Sequence, residues 1–82
     1  MNNFIVFPNP NTGIFTVLNE GAENQTNIKV MDVQGRVVYN EAFLFNSNER
    51  KVIDINSFNS GVYVLLIESE GKLEQHRIIV NK

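Results

Sequence analysis

Short apolar runs rich in Val, Ile, Phe and Tyr alternate along this chain with polar breaks. Gly13, Gly21, Gly35, Gly61 and Gly71 mark the breaks, and Asn46-Ser47-Asn48 fills the one long gap between glycines. Runs of this kind, closed at regular intervals by turn residues, are the signature of an all-β sandwich or barrel. The pattern predicts seven strands, near residues 4–7, 13–18, 27–31, 36–45, 50–55, 62–68 and 73–80. Ile28 and Val30 flank Lys29, the alternation of a strand with one solvated face. Residues 62–67 are apolar on both faces, which predicts a central or covered strand. No amphipathic helix is apparent. Residues 20–26 are polar and short, and Ser57-Phe58-Asn59-Ser60 is expected to make at most one helical turn capped by Ser57.

Three turns can be read closely. Asp32-Val33-Gln34-Gly35 has the residues of a type I turn, with the Asp32 side chain bonding the backbone ahead of it. Gly35 would then take a left-handed conformation and open the next strand as a bulge. Ser69-Glu70-Gly71-Lys72 reads as a second hairpin closure. In Pro8-Asn9-Pro10, each proline pushes the residue before it towards extended backbone. A proline cannot donate to a ladder, so the first strand belongs at a sheet edge.

The 82 residues suit one domain, and 43% apolar composition speaks against disorder. Cysteine is absent, so stability rests on apolar burial and strand pairing. The net charge of −2, with the seven basic residues scattered, excludes the clustered Lys and Arg that nucleic acid or an anionic membrane requires. Thirteen asparagines fall mostly in expected loops, where Asn tolerates left-handed backbone and bonds its own turn. The stretch 1–19 carries no charge, so a basic leader segment is missing, and its prolines and polar residues rule out a membrane span. The chain is expected to be one domain, residues 1–82, cut from a longer secreted protein.

Catalytic chemistry finds little support. His76 is the only histidine, and its same-parity neighbours are Glu74 and Ile78, which reads as a half-buried polar strand residue. The serines lack a nucleophile-elbow context, and a zinc site lacks ligands. No calcium-loop or phosphate-cradling pattern occurs. No cofactor and no enzyme activity are expected. Phe7, Phe15, Phe58 and Tyr63 read first as core aromatics.

The order of four motifs is more specific than any one. They are Phe7-Pro8-Asn9-Pro10-Asn11-Thr12-Gly13, then Asp32-Val33-Gln34-Gly35-Arg36, then Gly61-Val62-Tyr63, and finally Arg77-Ile78-Ile79-Val80-Asn81-Lys82. In all four places the chain resembles the type A C-terminal sorting domain of the type IX (Por) secretion system. Arg77 stands where that family more often has lysine, and the charge is kept.

The resemblance implies an immunoglobulin-like β-sandwich of about seven antiparallel strands. It also implies a non-enzymatic signal that takes an N-terminal cargo through the outer-membrane translocon. Implied partners are the translocon, its shuttle components and a sortase-like surface peptidase that removes the domain. The cargo would pass through the periplasm to the cell surface or the medium. Neither nucleic acid binding nor membrane insertion is expected, and the domain should be monomeric. Gly13, Gly35 and Gly61 are expected to serve backbone geometry, Tyr63 packing, and Asp32 its turn. Pro8, Asn9, Pro10, Arg36, Arg77 and Lys82 are the candidates for partner contact. The alternative is an immunoglobulin-like carbohydrate-binding or adhesion module, which would need an exposed aromatic platform.

Overall fold

Seven antiparallel strands account for the apolar runs: β1 (Phe4–Phe7), β2 (Ile14–Asn19), β3 (Asn24–Asp32), β4 (Val37–Phe45), β5 (Arg50–Asp54), β6 (Gly61–Ser69) and β7 (Lys72–Val80). The computed structural model describes residues 4–82, and no helix occurs among them. One sheet has the order β1-β2-β5 and the other β4-β3-β6-β7. β1 lies at an edge, as the prolines that follow it require. β6 runs between β3 and β7, as its two apolar faces require.

Period-two alternation sorts the side chains between the sheets and the solvent. In the three-stranded sheet Val6 pairs with Val17, and Phe15 with Ile53. In the four-stranded sheet Ile28 pairs with Ile67, Val30 with Leu65, and Tyr63 with Ile78. These inward positions form one core, completed by Phe4, Phe45, Ile55 and Val80. Each side chain of this size contributes about 1.5–3 kcal/mol when fully buried, against the entropy of ordering the chain.

Several expectations are corrected. β3 starts at Asn24, three residues earlier than the apolar alternation suggests. Asn24 pairs with Phe45 across the ladder, and its side-chain oxygen accepts both the Thr26 and Ser69 hydroxyls, so this polar start is satisfied inside the sheet. Residues 57–60 make no helical turn. The carbonyls there go elsewhere: Asn59 to the Tyr63 hydroxyl, and Asn56 and Phe58 to the Lys82 ammonium. Phe7 and Phe58 are not core residues, each being 39% exposed. Phe4 and Val6 take the inward parity of β1, which leaves Phe7 outside. Smaller boundary shifts put Gly13, Arg36 and Ile55 just outside strands and Gly61, Ser69 and Lys72 within them.

Candidate functional site

Strand direction gathers the four motifs at one end of the sandwich. β1, β3, β5 and β7 finish there, while β2, β4 and β6 begin there. The beginning of β1 at Phe4 lies at the opposite end.

The prolines carry the chain out of β1 and across to β7, through cis peptide bonds at Phe7-Pro8 and Asn9-Pro10. Pro8 and Pro10 are exposed. Asn9 bridges to the edge of β7 with its side chain. Its amide nitrogen donates to the Arg77 carbonyl (2.6 Å), and its amide oxygen accepts the Ile79 N–H (2.9 Å). Two residues on, Asn11 continues the contact with its backbone. Its N–H donates to the Ile79 carbonyl, and its carbonyl accepts the Asn81 N–H. The buried Asn11 side chain donates to the Pro8 carbonyl and accepts the Gly13 N–H, which holds the crossover in shape. Asn9 and Asn11 share parity around a proline that cannot donate, so both reach the same strand. That spacing was visible in the sequence, but its target was not.

Gly13 sits against the β5–β6 loop. Its φ is +108°, and a Cβ there would stand 2.8 Å from the Asn56 Cα. Its carbonyl accepts the Ile55 N–H at 2.7 Å. Gly13 thus joins the two loops by close backbone approach.

The Asp32 turn has the expected form. Gly35 has φ +85°, its N–H donates to the Asp32 carbonyl, and the Asp32 N–H donates to the Arg36 carbonyl, the type I turn with a glycine bulge. One oxygen of the Asp32 carboxylate accepts the N–H groups of Gln34 and Arg36, and the other accepts Arg36 Nε at 2.8 Å. The Arg36 amide has the largest influence on this carboxyl and lowers its pKa; burial opposes it, and the Arg36 guanidinium and Gln34 amide add to the lowering. The Arg36 side chain remains 76% exposed, with its terminal amino groups open to solvent.

Tyr63 is buried near the start of β6, and its hydroxyl donates to the Asn59 carbonyl at 2.5 Å. This is the tyrosine corner of immunoglobulin-like sandwiches, a tyrosine at the start of the sixth strand bonding back to the loop before it. Lys82 folds onto the same loop. Its ammonium donates to the Asn56 and Phe58 carbonyls and its N–H to the Ser60 hydroxyl (3.1 Å). Arg77 is exposed on the outer face of the four-stranded sheet, opposite Val64. Of the contact candidates, Pro8, Pro10, Arg36 and Arg77 therefore present free surface, while Asn9 and Lys82 spend their polar groups internally.

Between the Asp32 turn and the β5–β6 loop lies a groove of about 440 Å³. Val33, Val37, Val38, Phe58 and Val62 give it apolar walls, and Arg36 stands beside them. The sequence offered no signal for it, because its walls come from two segments far apart in the chain, residues 32–38 and 58–63.

Charge is distributed unevenly between the two ends. The motif-bearing end holds Arg36, Arg77 and Lys82 against Asp32 and Asp54. The opposite end holds Glu20, Glu23, Glu49, Glu68 and Glu70 against Arg50 and Lys72. His76 is half-buried on the inward side of β7 and pairs with Glu74 at 2.7 Å. Among the described residues no group of three or more His, Cys, Asp or Glu side chains is placed to hold a metal ion.

Residues 5–81 match the family model described as the secretion system C-terminal sorting domain. No curated protein matches the chain. Among solved structures, it is similar to a DUF3244 family protein with an immunoglobulin-like β-sandwich fold from Bacteroides vulgatus ATCC 8482. The two share 20% identity with a TM-score of 0.79, over 94% of this chain and 82% of that one, and the likeness supports the fold.

Proposed function

Since this chain belongs to the secretion system C-terminal sorting domain family, we propose that it carries an attached N-terminal cargo through the type IX outer-membrane translocon and is then removed at the surface. The translocon, its shuttle components and a sortase-like surface peptidase are the partners in this reading. The cargo passes through the periplasm on its way to the cell surface or the medium. The domain acts as a monomeric docking body without catalysis.

The observation that carries the reading is the convergence of all four family motifs on one end of the sandwich, away from the strand end where the preceding chain enters. A folded signal that shows one constant end works with any cargo attached at the other. Pro8, Pro10, Arg36 and Arg77 form its exposed contact surface. Asn9 and Lys82 shape that surface by holding the crossover and the β5–β6 loop. The carbohydrate-binding alternative needs an aromatic platform, and the two exposed phenylalanines, Phe7 in β1 and Phe58 in the β5–β6 loop, make no ring contact with each other.

The test is a reporter with its own Sec signal, fused ahead of residues 1–82 in a type IX-competent cell. Appearance of the reporter outside the outer membrane is the expected result. Retention of the intact, folded fusion in the periplasm would overturn the reading.

A further inference from the structure

We propose that the groove between the Asp32 turn and the β5–β6 loop docks an extended acidic segment of a partner protein, with a bulky apolar side chain between Val38 and Val62 and a neighbouring carboxylate on Arg36. The proposal rests on the reading that the motif-bearing end is the sorting surface, and it adds the chemistry of what that surface receives.

Three observations carry it. The groove has the volume for a large side chain and has apolar walls. Val62 and Val37 remain 40% and 51% exposed within it, so apolar surface there is still in water. The Arg36 guanidinium is aimed by its turn. Asp32 takes Nε at 2.8 Å, which leaves the paired terminal donors for a second carboxylate. The fixed guanidinium gives up little rotamer freedom on binding, which favours association.

Charge selects an acidic occupant. Arg36 is the one base that lines the groove, and the one acid there, Asp32, is already engaged by Arg36 Nε and by the Gln34 and Arg36 N–H groups. The opposite end is dominated by glutamates, so an acidic segment is drawn to one end and repelled from the other. Lys82 has a positioning role here. By holding the Asn56 and Phe58 carbonyls it fixes the loop that forms one wall.

The experiment titrates the 15N-labelled domain with two blocked hexapeptides, acidic GFDLEG and its neutral counterpart GFNLQG, at low ionic strength. The acidic peptide should shift the amides of Val33, Val38, Ser60 and Val62, and the neutral one should bind roughly three- to fivefold more weakly, the scale of an exposed charge pair. Arg36→Gln should erase the difference between the peptides, and Val62→Glu should weaken both while the spectrum stays dispersed. Equal binding of both peptides, shifts centred elsewhere, or no shift at millimolar peptide would overturn the proposal. So would Arg36-dependent binding to phosphatidylglycerol vesicles with no response to peptide. The reporter fusion separates this from the broader reading. Normal export of the Arg36→Gln, Val62→Glu double variant beside normal export of the parent removes the groove and leaves the sorting function. Failure of the parent alone removes the sorting function.

Discussion

Gly13→Ala should be the most damaging single-methyl change in the domain. Gly13 has φ +108°, a region in which an L side chain is strained by about 1–3 kcal/mol. The new Cβ would also stand 2.8 Å from Asn56 Cα and 3.2 Å from Asn56 N, both backbone atoms that no rotamer change can move. Relief requires the crossover and the β5–β6 loop to part. That would weaken the 2.7 Å bond from Ile55 N–H to the Gly13 carbonyl, at a cost of about 1 kcal/mol. The total is about 2–4 kcal/mol, a large share of the roughly 4–12 kcal/mol expected for a domain of this length. The matched control is Gly35→Ala. Gly35 has φ +85° but nothing within 4 Å of an added Cβ, so only the backbone strain of about 1–2 kcal/mol applies. Urea unfolding followed by far-ultraviolet circular dichroism gives both values on one scale. In thermal melts Gly13→Ala should lower Tm by roughly 10–25 °C. If Gly13→Ala costs no more than Gly35→Ala, the close approach to Asn56 is not a determinant of stability and the reasoning is wrong.

Three further outcomes follow from named contacts. Tyr63→Phe should cost about 0.5–1.5 kcal/mol in urea unfolding, because it removes the bond to the Asn59 carbonyl while keeping the buried ring; an unchanged midpoint would deny the tyrosine corner a stabilising role. Asn9→Ala frees the Ile79 N–H, so hydrogen exchange at Ile79 should quicken while Leu65, in the central strand, stays protected; equal rates at Ile79 before and after would refute the side-chain bridge. Asp32 has a folded pKa below its ordinary 3.8, so its contribution to stability is complete above that value and is lost as pH falls through the folded value. Acid unfolding of Asp32→Asn should accordingly be less steep in that window than that of the parent, and parallel curves would contradict the assignment.

Much of the architecture was legible because strand information is local. Alternation at Ile28-Lys29-Val30, the two-sided apolar run of β6 and the Asp32 turn each depend on residues within a few positions of one another, and each has the structure expected of it. Phe7 and Phe58 misled because an aromatic side chain states a preference for burial but not a direction. For Phe7 the direction follows from the parity of β1, and for Phe58 from a loop shaped by Lys82.

The sequence by itself determined that the chain is all-β, where its strands and turns fall, and which four motifs set it apart, since these follow from residue type and near spacing. Only the tertiary structure decided that the motifs share one end, that Asn9 and Lys82 serve as internal ties, and that a groove with a poised Arg36 lies between two loops. The reason is distance along the chain. Asn9 meets Arg77 across 68 residues and Lys82 meets Asn56 across 26, and contacts of that span depend on how the two sheets are ordered and stacked rather than on any local pattern.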